Sequence, residues 1–254
     1  MLIRVLTAGG PLAEATVRAA AHHGGPGDHI EVQLVLDVRW LEPPSPGVEF
    51  MSMPYYPEED DPAAQAFFQE LDEKLETYGE ICAEGSATFG TRRVLAMPDE
   101  AIARAAVGAD LLVLPHPNGA SAEFRKAVQA VVAMPPVPLM LVAYPGSAQA
   151  ATIQTEAAGA GLNGSHVFLD SVLGGRVNRI SVEPGTPVEP LRSLAPLVEE
   201  SQAGDTHDER GVDPAEMYVV LHAERSRGVF GFGSAAKRRL APQRNLLLVP
   251  DSWK

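Results

Sequence analysis

The chain has 254 residues, 45% of them apolar, and a formal net charge of −13. That apolar content is enough for a real core and argues against a disordered chain. The acidity argues against a nucleic-acid binder, which needs a basic face to displace counterions, and against docking on anionic membranes. Cys82 is the single cysteine, so no intrachain disulfide and no cysteine-built zinc site can form, and a reducing cytoplasm fits. No stretch approaches the roughly 20 apolar residues of a membrane helix. The opening "MLIRVLTAGG" lacks the pattern of a signal peptide.

"LIRVLTA" (2–8) reads as a strand ending in Gly9-Gly10. "PLAEATVRAAAHHG" follows as a helix, and "HIEVQLVLDV" (29–38) as a buried strand. Strand–helix–strand at this spacing implies a crossover rather than a hairpin. Residues 41–62 are rich in proline and acid and read as a loop, with Asp61 placed to cap a helix and Pro62 to open it. The helix continues through "AAQAFFQELDEKLETYGEICAEG", with Phe67, Leu71, Leu75 and Tyr78 on one face. "TRRVLAM" is a third strand and "PDEAIARAAVG" a third helix, with Asp99 and Glu100 favouring its dipole. "ADLLVLP", "SAEFRKAVQAVVAM" and "VPLMLVAYP" complete the alternation as strand, helix and strand. Residues 1–145 thus predict a doubly wound, mostly parallel sheet with helices on both faces.

"PGSAQAA" (145–151) reads as a linker. Beyond it the pattern is looser: "ATIQTEA" as a strand, "SHVFLDSVLGG" as a short helix, "VNRISVEPG" as a strand and "VEPLRSLAPLVEE" as a helix. Residues 201–214 read as a polar loop. "AEMYVVLH", "GSAAKRRLA" and "RNLLLVP" then repeat the strand–helix–strand pattern of 109–143, which implies an internal duplication.

The element order of 1–145, with the phrases "IRVLTAGGPLAEATVRAAAHHG", "DEAIARAAVGADLLVLP" and "VPLMLVAYP", resembles the universal stress protein family. The ending "MYVVLHAERSRGVFGFGSAAKRRLAPQRNLLLVP" resembles the last part of the same unit again. The resemblance implies the tandem type: a first domain over 1–145 and a shortened second domain over 146–254. Each would be a Rossmann-like, mostly parallel sheet of the adenine nucleotide alpha hydrolase-like kind. Two separate sheets are expected, with the fifth strands "PLMLVAY" and "NLLLVP" near the contact between domains or between subunits of a homodimer.

Many members of that family bind ATP through a Gly, two residues, Gly, nine residues, Gly, Ser/Thr signature, with an Asp ending the first strand. Here Pro115 replaces the first glycine and Ala8 stands in the place of the Asp. Pro115 has no N–H to offer a phosphate. The first half is therefore expected to be free of nucleotide. "ERSRGVFGFGSAAKRR" retains more, and the resemblance places any ATP or other anion on Arg225, Arg227, Gly228, Gly231, Gly233 and Ser234, with Lys237 near. The alternative for that stretch is a flexible turn with Ser234 as an ordinary helix cap.

Other features of the sequence compete with it. Gly159, Gly161 and Gly164 spell G-x-G-x-x-G, with Glu183 about 20 residues on where a dinucleotide fold puts its ribose acid. Against an NAD-type site stands "TIQTE", too polar for a central parallel strand. Glu58 to Asp61 and "HDER" (207–210) read as solvated loops, so no metal site is expected. His22-His23 reads as a helix-end dipole partner, and Cys82 as a helix-packing residue. His116 and His222 fall at equivalent strand ends of the two halves. No serine triad or carboxylate pair stands out, and no catalytic residue is assigned. The expected role is regulatory or protective, through a nucleotide, an anion or a protein partner. The rival classes are a nucleotide-dependent enzyme and a pure interaction module.

Overall fold

A computed structural model describes residues 1–37, 62–118, 120–146, 148–155, 165–182, 189–200, 216–223, 239–240 and 244–250. The first half runs β1 (Leu2–Thr7), α1 (Ala13–His23), β2 (His29–Leu36), α2 (Pro62–Ala83), β3 (Thr88–Leu95), α3 (Pro98–Ala106), β4 (Leu111–Pro115), α4 (Ala122–Ala133) and β5 (Leu139–Val142). The second runs β6 (Ala150–Thr155), α5 (Ser165–Leu173), β7 (Arg179–Val182), β8 (Leu197–Glu200), β9 (Glu216–Ala223) and β10 (Asn245–Pro250). Helices start where local chemistry favours it. Pro62 opens α2, Pro98 opens α3 with Asp99 and Glu100 in its first turn, and the Ser121 hydroxyl accepts the Phe124 N–H to cap α4. Strands β4, β5 and β10 are buried at every position, as covered parallel strands require.

The predicted α/β, mostly parallel, Rossmann-like architecture is present. The two separate sheets are not: the ten strands among the described residues form one sheet, ordered β3-β2-β1-β4-β5-β10-β9-β6-β7-β8. Each half repeats the order third, second, first, fourth, fifth, and every pairing is parallel except β5 with β10. The reason lies in the fifth strands. Each is apolar and would otherwise leave an open edge of unpaired N–H and C=O groups. Antiparallel pairing of Leu139, Met140 and Leu141 with Leu248, Leu247 and Leu246 closes both edges at once. The Asn245 side-chain oxygen accepts the N–H groups of Ala143 (2.9 Å) and Tyr144 (3.2 Å), fixing the chain as it leaves β5.

Both cores cross this seam. On one face Ile3, Val5 and Met140 share a cluster with Ile153, Val219 and Leu247; on the other Leu112 and Leu139 join Val220 and Leu248. Buried Arg239 donates through Nη1 to the carbonyls of Val132 and Ala133 at the end of α4, where uncapped carbonyls favour a cation. On the opposite face α1 meets α5.

Three further expectations change. "TIQT" is a central parallel strand after all: β6 lies between β9 and β7. Its polarity is satisfied because the buried Thr152 hydroxyl donates to Glu216 on β9. "VEPLRSLAPLVEE" is not a helix. Residues 189–191 form one 3-10 turn and 197–200 the edge strand β8, since Pro190 and Pro196 break a continuous helical ladder. The linker is shorter than expected, because β6 already begins at Ala150.

Candidate functional site

In a sheet of this order, ligands bind beyond the carboxyl ends of the strands, where β1 and β4 diverge in their connections. A crevice of about 300 Å³ lies there, at the lower end of small-molecule sites. Residues 8–12 after β1 form one side, Leu34 to Asp37 at the end of β2 a second, and Pro115, His116, Asn118, Ala120 and Ser121 at and after the end of β4 a third. Helix α2 closes it with Phe67, Leu71 and Lys74. Most of this lining is apolar. Of its two phenylalanines, Phe124 is buried and Phe67 is 37% exposed.

The turn after β1 needs its glycines. Gly9 and Gly10 have φ of 79° and 91°, a region that L side chains rarely adopt. Neither position is crowded, so conformation rather than space demands glycine. The Gly9 N–H donates to the Thr7 hydroxyl (3.1 Å), and the Ala13 N–H to the Gly10 carbonyl (3.1 Å).

The turn after β4 is tied into itself. Pro115 and Pro117 carry no N–H. The His116 N–H donates to Val142 (2.8 Å), Asn118 N–H to His116 Nδ1 (3.4 Å), and Ala120 N–H to Pro117 (3.3 Å). His116 is 3% exposed, and its Nδ1 acts as acceptor, which places the proton of the neutral ring on Nε2. Burial lowers its pKa, a shift opposed by the nearby backbone of Leu240 in the second half. Nε2 makes no well-formed hydrogen bond among the described residues. Lys74 pairs with Glu70 one turn earlier on α2 (2.6 Å).

Asp37 and Lys74 were not among the residues singled out from the sequence. The signal for Asp37 was present: an acid directly after the apolar run "LVL", at the end of the second strand, where dinucleotide folds place a ribose-binding carboxylate.

The residues expected to hold ATP or an anion, Arg225, Arg227, Gly228, Gly231, Gly233 and Ser234, lie outside the described residues, as do Gly159, Gly161, Gly164, Glu183, Glu58 to Asp61 and 207–210. The strands that precede the two glycine stretches are described: β6 and β9 are neighbours, with Thr155 opposite Leu221. His116 follows the fourth strand of the first half directly, and His222 lies within β9, the fourth strand of the second. Among the described residues no cluster of metal-ligating side chains occurs. Cys82 is buried, with its thiol pushed up to about 11 by desolvation, which suits packing and not nucleophilic attack.

The histidine pair departs from its expected role at a helix end. His23 is 1% exposed, and its Nδ1 donates to the Val172 carbonyl of α5 at 2.6 Å. Desolvation holds its pKa down to about 4, with His22 and Arg176 adding repulsion. His23 is therefore a neutral link between the halves and not a dipole partner.

No helix among the described residues is long and apolar enough to cross a membrane. No family model matches the sequence, and no curated protein matches it. Solved structures do match in fold. The cytoplasmic domain of a prokaryotic cation chloride cotransporter superposes with a TM-score of 0.53 at 9% identity, over 99% of this chain and 96% of that one. A universal stress protein from Archaeoglobus fulgidus DSM 4304 superposes with a TM-score of 0.55 at 9% identity, over 98% of this chain and 96% of that one. With strand order, crossovers and crevice in place, the chain has the Rossmann-like α/β fold of the universal stress proteins.

Proposed function

We propose that this chain is a universal-stress-type regulatory protein of the cytoplasm, built from two such units over 1–145 and 146–254, that responds to a small molecule held in the β1–β2–β4 crevice. The observation that supports this most is the crevice itself: a glycine turn in a demanding conformation borders a largely apolar hollow at the switch point of the sheet. Ser121, Lys74 and His116 are bonded into the surrounding fold. Ser121 caps α4, Lys74 pairs with Glu70, and His116 accepts from its own turn. That pattern serves binding better than catalysis, which needs a nucleophile and base within reach of each other.

The crevice reading is tested with the neutral dye Nile red. The parent should enhance its fluorescence, and Ala8→Trp should remove the enhancement. Ala8 is exposed at the crevice mouth, so the indole enters the hollow without repacking the core. Equal enhancement in both proteins would move the ligand site elsewhere.

We place the ATP or anion site of the second half on Gly231 to Ser234, with Arg225 and Arg227 supplying charge, as a separate proposal. Support comes from the strands: β6 and β9 end side by side in the second half's own switch position. Gly233→Val is expected to abolish ATP binding measured by calorimetry, and Ser234→Ala to weaken it while costing about 1 kcal/mol of helix capping. Unchanged affinity in Gly233→Val would direct attention to Gly159, Gly161 and Gly164.

A further inference from the structure

His116 touches both halves of the molecule at once. It belongs to the wall of the crevice, yet its ring is buried. Its backbone N–H donates to the Val142 carbonyl at the end of the seam strand β5, and its Nδ1 accepts from Asn118. That leaves Nε2–H. It lies toward the backbone carbonyl of Leu240, in the second half, without closing a well-formed hydrogen bond there. Leu240 itself is not part of the crevice wall. The segment that carries Leu240 also grips the first half in two other ways. The Leu240 side chain packs on the core cluster that contains Phe124, and Arg239 holds the Val132 and Ala133 carbonyls at the end of α4. Helix α4 belongs to the crevice frame through its cap Ser121 and through Phe124. Residues 239–240 therefore hold both elements of one crevice wall, the β4 turn and α4.

A buried donor short of its acceptor is unfavourable, so a small movement that carries it onto the acceptor is favoured. The β4 turn thus has two arrangements, with Nε2–H open or closed on the Leu240 carbonyl. A ligand shifts such an equilibrium only by binding one arrangement better. A crevice occupant can do so because the turn is itself part of the wall: filling the hollow confines the turn on that side. We propose that His116 is the relay by which the crevice reports to the second half, occupancy closing Nε2–H onto the Leu240 carbonyl and tightening the hold at 239–240. The route lies on the α4 face of the sheet, away from the contact of His23 with Val172 on the other. This rests on the crevice reading above and names its output.

The test is hydrogen exchange of the full chain with and without saturating Nile red, read at the amides of Arg239 and Leu240. In the parent the dye should slow exchange there by about fivefold, the low end of coupling between linked sites. His116→Gln should keep the effect, because its side-chain N–H reaches the place of Nε2. His116→Asn should bind the dye and lose the effect, because its shorter amide stops at the place of Nδ1. If that variant fails to fold, His116→Phe, which fills the volume of the ring without a donor, replaces it with the same expected result. Ala8→Trp should show no effect of the dye. Unchanged or faster exchange at 239–240 in the parent overturns the relay and leaves the crevice reading standing. A slowing that persists in His116→Asn or His116→Phe also overturns it. If the parent does not bind Nile red, or if Ala8→Trp leaves its binding unchanged, the relay and the crevice reading both fail.

Discussion

Acidification from pH 7 to pH 4 should remove roughly 3 kcal/mol of stability through His23 alone, the gap between 6.5 and about 4 converted at ~1.4 kcal/mol per pH unit. The sign follows from burial. The folded state holds the ring neutral, so its contribution is fully present above 6.5 and is lost as pH falls from 6.5 towards 4. Neighbouring His22, also lowered by burial and by Arg176, acts in the same direction. His23→Asn isolates the effect, because its amide can donate to the Val172 carbonyl as Nδ1 does and cannot titrate. Urea melts of both proteins at pH 7 and pH 4.5 measure it. The parent should lose more stability than the variant across that interval; parallel losses would mean that other groups carry the acid lability. Since the bond joins α1 to α5, the loss should appear first as weakened contact between the two halves.

Leu247→Ala should cost about 2–5 kcal/mol, the range for emptying a fully buried leucine site. Leu247 faces Met140 across the antiparallel seam and belongs to a core cluster with members from both halves. The informative part of the result is its distribution. Hydrogen exchange should show Val113 in β4 and Val219 in β9 losing protection by the same amount, because one core holds both residues together with Leu247. Unfolding should remain a single transition. A variant in which β9 loses protection and β4 keeps it would mean two independently folding units that merely touch.

The parts of the fold that could be read from the sequence are those whose pattern is decided locally. "LLVLP" and "NLLLVP" can only be buried strands, and Pro98 with Asp99 and Glu100 marks a helix start without help from tertiary structure. Elsewhere a distant partner decides. Thr152 reads as too polar for a sheet centre until Glu216, far along the chain, accepts its hydrogen bond. Leu197–Glu200 has helical spacing with the residues before it, yet pairs with β7 as an edge strand. The seam was half legible: the apolarity of both fifth strands predicted that they would be covered near a contact. Nothing in either strand shows that the cover is the other strand, edge to edge, in one sheet. At the site, the first strand ends in Ala8 where the resembled family has its acid, and the second strand, one over, ends beside the acid Asp37. Tertiary structure places both beside the same hollow.

The reversal of direction at β5 and β10 makes the molecule double-ended. Within each half all strands run the same way, so all their carboxyl ends point to one rim of the sheet; across the seam that rim changes sides. The crevice between β1 and β4 therefore opens on one rim, and the corresponding place between β6 and β9 belongs to the other. Laterally the two are four strand spacings apart, about 19 Å, beyond the ~10 Å over which exposed charges act on each other in ordinary salt. Occupants of the two rims would neither touch nor sense each other's charge through solvent. A message from one to the other has to travel mechanically, through the β5–β10 seam and the contacts that flank it, His23 with Val172 on one face and Arg239 with the end of α4 on the other. Each rim is thus free to specialise in a different ligand chemistry while both report to the same joint.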